Sequence, residues 1–454
     1  MFSPSSGRTR PLEGSGGLST RFFGFDDLQP PSAEILADCV HCGFCLPTCP
    51  TYLLWGQEMD SPRGRIYLMR EVLEGEPLTE TVAGHFDKCL GCMACVTACP
   101  SGVQYDKLIE ATRAQIERHV GRKWHERAFR WAVFSLFPYP RRMKVAVSAF
   151  RLYQQSGLSN LLNRTGIHEH LPLAIRTMES LVPPLDERAG NLPELIKARG
   201  NYRGRVGLLT GCVQSVVFPS VNWATARVLA AEGFDVVTPA AQGCCGALSE
   251  HVGRADEARR FARSLIECFD SLSVDAVVVN SAGCGSTLKQ YGHLLRDDPS
   301  FAERAARFSA SVRDFAEFLD ERSQAAEYHP LQLSVAYHDA CHLSHAQGIR
   351  GAPRRVLGMV PGLEVIEVPE GDICCGSAGV YNLLQPEPAA ELGDRKAGNI
   401  LSTGAQVLVA ANPGCYMQIA AAVERRGGHI AIAHTAEILD ASIRNVPSTS
   451  FGAR

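Results

Sequence analysis

Hydrophobic positions change rhythm along this chain. Behind Ser61-Pro62-Arg63-Gly64-Arg65, the apolar residues Ile66, Leu68, Met69, Val72 and Leu73 recur at helical spacing. A capping hydroxyl followed by Pro in the first turn predicts that an amphipathic helix starts here. Between Phe129 and Tyr153 apolar residues are interrupted by Pro138, Pro140, Arg141, Arg142 and Lys144. That predicts a helix, a break and a helix, with a basic-aromatic contact on a membrane surface as the alternative. No run is long enough to span a bilayer.

Farther on, helical spacing alternates with short continuous apolar runs, and the alternation happens twice. Arg205 to Thr210 and Leu333 to His338 read as matching strands. Each is followed by a helical stretch (Val221 to Glu232; Ala352 to Met359) and a second strand (Asp235 to Thr238; Glu364 to Val368). A Cys-Cys-Gly triplet, another helix and a buried strand (Asp275 to Asn280; Ala405 to Ala411) complete each copy. A period this long predicts two α/β half-domains facing each other rather than a solenoid. The expected organisation is a disordered tail over 1–20, a helical module over 21–122, a helical linker over 123–202, half-domains over 203–330 and 331–445, and a tail over 446–454.

Composition narrows the class. A chain of 454 residues is long enough for several cores, and a net charge of −3 offers no basic field for nucleic acid. The first twenty residues lack the apolar centre of a secretory signal, so the thiols are expected in a reducing cytoplasm.

The cysteines then name the chemistry. Cys39, Cys42, Cys45 and Cys49-Pro50 repeat the spacing of Cys89, Cys92, Cys95 and Cys99-Pro100. Three close cysteines can turn onto one cube while the fourth, before Pro, ligates the other, as in proteins holding two [4Fe-4S] clusters. One cluster is therefore expected on Cys39, Cys42, Cys45 and Cys99, and a neighbouring one on Cys89, Cys92, Cys95 and Cys49. Structural zinc gives no reason for two identical runs ending in Cys-Pro. Pro50 to Lys88 is too long for the loops of a compact two-cluster ferredoxin, which predicts an α-helical ferredoxin-like domain.

Eight more cysteines follow the duplication: Cys212, Cys244, Cys245 and Cys284 in one copy, Cys341, Cys374, Cys375 and Cys415 in the other. All fall at strand ends or in the following loops, where open α/β sheets assemble their sites. Adjacent thiols do not easily close one regular tetrahedron, but they can ligate different irons of a cluster. One or two further iron–sulfur clusters, or zinc, are expected here. His338, Asp339, His342 and His345 beside Cys341 are candidates for an added ligand or a hydrogen bond that orients one. Cys268 has no counterpart and reads as inert.

These halves resemble the CCG cysteine-rich domains of heterodisulfide reductase and anaerobic glycerol-3-phosphate dehydrogenase subunits. The resemblance sharpens at Cys39-Val-His-Cys-Gly-Phe-Cys, Pro62-Arg-Gly-Arg-Ile-Tyr, Tyr337-His-Asp-Ala-Cys-His-Leu-Ser-His-Ala-Gln and Cys374-Cys-Gly-Ser-Ala-Gly-Val-Tyr-Asn-Leu-Leu-Gln-Pro-Glu. Taken together, from about Phe23 to Ile443, they resemble the iron–sulfur subunits of glycolate oxidase (glycolate dehydrogenase). One departure matters. Where heterodisulfide reductases close the motif with Cys-x2-Cys, Thr287 and Gln418 stand here, so five-thiolate clusters cannot simply be carried over.

The resemblance implies FAD-binding glycolate oxidase partner subunits that turn glycolate into glyoxylate, a quinone-type acceptor, and a place in the cytoplasm or peripherally on the cytoplasmic face of the inner membrane. No Gly-rich dinucleotide fingerprint is present, and a two-electron oxidation feeding one-electron clusters needs a flavin, expected on the partner. Catalytic residues are not expected in this chain. Sister readings are the iron–sulfur subunit of a D-lactate or glycerol-3-phosphate dehydrogenase, a CCG-type disulfide reductase, and a noncatalytic assembly subunit with zinc.

Overall fold

A computed structural model describes residues 24–156, 173–181, 190–322 and 325–451 of the chain. The tail expected over 1–20 lies outside them, as does part of the expected linker. The N-terminal module is helical, with Pro50–Trp55, Pro62–Leu73, Glu80–Asp87 and Tyr105–His119 around a core that includes Met69, Phe86, Leu108 and Ile109. Helix Pro62–Leu73 starts as its sequence predicts: Ser61 caps it by accepting from the Gly64 amide, and Pro62 fills the first turn. Helices, not a hairpin, separate the cysteine loops. The apolar stretch after Lys123 forms Trp124–Leu136 and Pro140–Gln155, broken at Pro138 and Pro140. No helix among the described residues is long and apolar enough to cross a membrane.

Two sheets follow. In the first, β1 (Leu195–Ile196), β2 (Gly204–Leu209), β3 (Phe234–Val237), β4 (Ala276–Val279) and β5 (Val312–Asp314) lie in the order β1-β3-β2-β4-β5. In the second, β6 (Leu333–His338), β7 (Leu363–Glu367), β8 (Val407–Ala410) and β9 (Ala431–Ala433) lie in the order β7-β6-β8-β9. All pairings are parallel except β1 with β3. The central strands β4 and β8 are continuous apolar runs, and β2 and β6 are buried along most of their length, because helices cover both faces.

The half-domains share one core: Val206 and Leu208 pack in the same cluster as Val335 and Tyr337. Helices Pro219–Ala231 and Thr435–Ile443 meet there, and Arg227 donates two hydrogen bonds to the Asp440 carboxylate at 2.7 and 2.6 Å. Two details depart from the sequence reading. β1, inside the stretch expected to be helical linker, adds an antiparallel edge to the first sheet, and Phe451, in the stretch expected to be a tail, is buried in the shared core. Both use local apolar residues to cover an edge that neither sheet closes by itself.

Candidate iron–sulfur centres

The cysteine loops of the helical module enclose two small cavities. One is lined by Cys39, Cys42, Cys45 and Cys99, the other by Cys49, Cys89, Cys92 and Cys95. The first three cysteines of a motif thus face one cavity and its Cys-Pro cysteine faces the other. Cys95, Pro62 and Tyr105 line both, so the cavities are neighbours with a shared wall. With Cys95 assigned to the second, each cavity offers four thiol donors, a set that fits a [4Fe-4S] cluster.

Charge is arranged unequally around them. Arg65, fully buried, donates to the His85 carbonyl at 2.7 Å and to Thr51 Oγ1 at 3.2 Å, with Asp60 at 3.8 Å as its counter-ion. Arg113 donates to the Cys89 carbonyl. Burial alone would raise the Cys89 pKa, but Arg65 and Arg113 outweigh it and hold the thiol below its ordinary value. Burial pushes Cys92 and Cys95 well above theirs, and Cys45 up to about 11. Such thiols become ligands when bound metal charge displaces their protons. Cys42 is exposed, and Val40 and Phe44 flank it on the surface.

Each half-domain gathers its four cysteines beyond the carboxyl ends of three parallel strands, β2, β3 and β4 in the first and β6, β7 and β8 in the second, beside the switch point where the strand order reverses. The turn is made by Gly246 (φ +83°) and Gly376 (φ +88°). A Cβ there would come within 3.1 Å of the Ala258 carbonyl oxygen and 2.5 Å of that of Ala389, so the triplet needs its glycine both for backbone conformation and for clearance. In the first copy Cys212 Sγ lies 3.5 Å from Cys244 Sγ, and Cys245 contacts both Cys244 and Cys284. In the second, Cys341 Sγ lies 3.9 Å from Cys374 Sγ, and Cys375 contacts Cys374 and Cys415. The contact with Cys374, then burial, pushes the Cys341 thiol up. Thiols this close suit ligands sharing one ion, whose sulfurs lie roughly 3.8 Å apart at zinc–sulfur lengths, or adjacent irons of a compact cluster.

The four polar residues around Cys341 separate. Asp339 is held by Arg354 at 2.7 Å. His342 pairs through Nε2 with the Gly91 carbonyl at 3.1 Å and stacks on His251 with ring centroids 4.7 Å apart. His345 pairs with Thr97 Oγ1 at 2.7 Å and the Asp372 carbonyl at 3.1 Å. His338 has neither ring nitrogen paired, is 1 % exposed, and has a nitrogen within 4.8 Å of the sulfurs of both Cys375 and Cys415. Burial lowers its pKa to about 3, so the ring is neutral, the form that binds metal. Gln418, in place of the fifth thiol, donates to the Ala389 carbonyl and accepts from Asn382.

The second copy also touches the helical module. Cys92, Cys341 and Cys374 pack in one buried cluster with Leu90 and Ala94. Nothing in the cysteine spacing announces this contact. The spacing likewise gave no sign of Lys396, buried and hydrogen-bonded to the carbonyls of Glu370 and Gly371, with the thiols of Cys375 and Cys374 in its field. A further cavity of about 540 Å³ opens beside Cys89 among Phe129, Leu383, Leu384, Arg113, His251 and Tyr381.

Comparison with known proteins agrees with this layout. Residues 35–103 match the 4Fe-4S dicluster domain, 125–182 the linker region of the glycolate oxidase iron–sulfur subunit, and 206–289 and 335–420 the cysteine-rich domain. The chain is 40 % identical over 418 residues to the probable glycolate oxidase iron–sulfur subunit of Bacillus subtilis (strain 168), covering 89 % of this chain and 93 % of that one. It is 35 % identical over 413 residues to the glycolate oxidase iron–sulfur subunit of Escherichia coli (strain K12), covering 90 % and 95 %. One of the subunits of the CoM/CoB fumarate reductase of Methanothermobacter marburgensis is 27 % identical over 413 residues, covering 89 % and 72 %. An N-terminal pair of cysteine motifs, a linker and two cysteine-rich repeats, matched nearly end to end, make this chain a member of the glycolate oxidase iron–sulfur subunit family.

Proposed function

We propose that the chain is the electron-transfer subunit of a glycolate-oxidising complex, receiving electrons from FAD on partner subunits and passing them toward a quinone-type acceptor. Cys39, Cys42, Cys45 and Cys99 hold one [4Fe-4S] cluster, and Cys49, Cys89, Cys92 and Cys95 a second. The observation that carries this reading is the pair of four-cysteine cavities with a common wall, the second of which abuts the second cysteine-rich site. When bound, the clusters supply one-electron redox chemistry. The chain's own residues hold them close together, exclude water from the inner one, and offset its negative charge with Arg65 and Arg113. Exposed Cys42 between Val40 and Phe44 favours entry of electrons at the first cluster.

Two further features support the acceptor side. The cavity beside Cys89 is of a size that takes a small planar molecule, and it combines apolar side chains, Phe129, Leu383 and Leu384 among them, with charged ones such as Arg113, Arg122, Glu126 and Arg130. Helices Trp124–Leu136 and Pro140–Gln155 expose Trp124, Trp131, Val145 and Leu152 among Lys123, Arg127, Arg141 and Arg142, the composition of a surface that rests on anionic lipid. Trp131→Ser should then weaken cosedimentation with anionic vesicles; unchanged binding would remove the membrane part of the reading.

The decisive experiment is anaerobic. In the assembled complex, glycolate should reduce the flavin and then the clusters, and Cys92→Ser should abolish acceptor reduction while flavin reduction survives. Loss of flavin reduction as well would mean that the cysteines hold the assembly together rather than conduct. Reduction by D-lactate or glycerol-3-phosphate but not glycolate would move the chain to a sister complex. The close thiol contacts favour a second reading for the cysteine-rich halves alone, structural zinc, which metal analysis tests.

A further inference from the structure

The two cysteine-rich sites are built from the same plan and differ in what faces their thiols. The last residue of β6 is His338; the last residue of β2, three before Cys212 as His338 is three before Cys341, is Leu209. Leu209 packs into the apolar core of the first half. Ala258 and Ala389 press on the two triplet glycines in the same way, and counting on from them along their helices sets Lys396 opposite Leu265. The second site therefore combines four thiols, an imidazole with neither ring nitrogen paired and the buried side chain of Lys396. The first offers four thiols against two leucines.

An imidazole buried without a partner costs roughly 1–3 kcal/mol, so a native core keeps one for a purpose. Its three polar neighbours are all occupied elsewhere, and His338 alone is left within reach of Cys375 and Cys415. Lys396 lies in the field of Cys375 and Cys374, where a cation offsets the negative charge that thiolate ligands carry. Cys341 and Cys374 lie against Cys92, so charge accumulated here sits directly beside the inner ferredoxin-type site. A π-helical turn, His342–Ala346, follows Cys341, a local irregularity common at functional sites.

We propose that His338 is a nitrogen ligand of an iron–sulfur centre held by Cys341, Cys374, Cys375 and Cys415, and that this centre stands in series with the two ferredoxin-type clusters. The imidazole takes the place of the fifth thiol that Gln418 has given up. The first copy, lacking the imidazole and the lysine, has no nitrogen-ligated centre. This assignment rests on the electron-transfer reading for its role, and on the geometry alone for the ligand.

The test is pulsed EPR for nitrogen coupling on the native complex, purified anaerobically and reduced either with glycolate or chemically, with iron and zinc counted. Wild type should show a third reduced signal with strong ¹⁴N coupling that changes on ¹⁵N-histidine labelling. His338→Cys, which keeps a donor in place, should retain the iron count, lose the coupling and lower that centre's potential, because histidine in place of cysteine raises it. His338→Ala should lose the signal with the two ferredoxin-type signals intact. Coupling absent from wild type, coupling that survives in His338→Cys, or zinc in place of the third centre would overturn the proposal. A nitrogen-coupled signal that appears on chemical reduction but not with glycolate would leave the ligand assignment standing and overturn the glycolate reading instead.

Discussion

The two cysteine-rich halves share the strand order β3-β2-β4 and β7-β6-β8, the same glycine turn and the same four thiols, yet among the described residues only the second packs its thiols against a cysteine of the helical module. That half sets Cys341 and Cys374 against Cys92 and surrounds its thiols with His338 and Lys396. In the first half the corresponding places are Leu209 and Leu265, both in the apolar core. A duplicated scaffold has thus kept its thiol geometry in both copies, while the polar groups that would tune a charged centre occur in one. The difference teaches that ligand count alone does not assign a site; what matters is which neighbours can stabilise its charge and which centre it adjoins.

The largest effect should come from matched ligand losses. Cys374→Ser, beside Cys92, is expected to reduce electron delivery from the assembled complex to background. Cys244→Ser, its counterpart in the first half, should leave delivery substantially intact. Stopped-flow reduction of an added quinone measures both, and equal loss from the two variants would erase the functional difference between the halves.

Next comes the pair at the ends of the central strands. Leu209→Ala removes a buried side chain from the first half's core and should cost about 2–5 kcal/mol. His338→Leu has the opposite expectation in chain stripped of metal: relieving an unpaired imidazole should stabilise it by about 1–3 kcal/mol. In metal-loaded chain the same substitution should destabilise the second half, since a ligand is lost. Thermal unfolding with and without iron reconstitution reads the sign. Stabilisation in both states would make His338 a strained core residue and nothing more.

Much of this layout is legible in the sequence, for a physical reason. Ligand spacing within a loop is local, so the Cys39–Cys49 and Cys89–Cys99 motifs carry their geometry in the primary structure, including the exchange of Cys49 and Cys99 between cavities. Buried parallel strands are equally local in signature: Leu333–His338 falls where its apolar run ends, and the other predicted strands lie within two residues of their observed bounds. The short strands Leu195–Ile196, Val312–Asp314 and Ala431–Ala433 have too few residues to show a period. The contact of Cys92 with Cys341 and Cys374 is a tertiary apposition of residues far apart in the chain, and no pattern encodes it. Separating His338 from Asp339, His342 and His345 needs their partners: Arg354 on the helix Gly351–Leu357, and Gly91 and Thr97 in the Cys89–Cys99 motif of the helical module.

The smallest expected effect lies where the first half is the polar one. Glu250, four residues past Gly246, stands where the second half, counted the same way from Gly376, has Val380. Burial raises its pKa to about 7 despite Arg259 and Arg296, and its Oε2 has no hydrogen-bond partner. Glu110, on helix Tyr105–His119, is raised by burial and then by Glu250 itself. The folded state therefore holds protons that the unfolded chain gives up above the ordinary carboxyl range. Stability from Glu250 is fully present below about pH 4.5 and is lost as pH rises through about 7, and Glu110, also raised, contributes with the same sign. Hydrogen exchange of the amides in Ala247–Glu250 and Tyr105–His119, corrected for intrinsic rates, should report roughly tenfold or more easier opening at pH 8 than at pH 5. Glu250→Gln should reduce that dependence, and Glu250→Val, which copies the second half, should reduce it similarly, the remainder coming from Glu110. A pH dependence unchanged in both variants would mean that Glu250 ionises freely in the folded protein, and that the contact between the helical module and the first half owes nothing to its protonation.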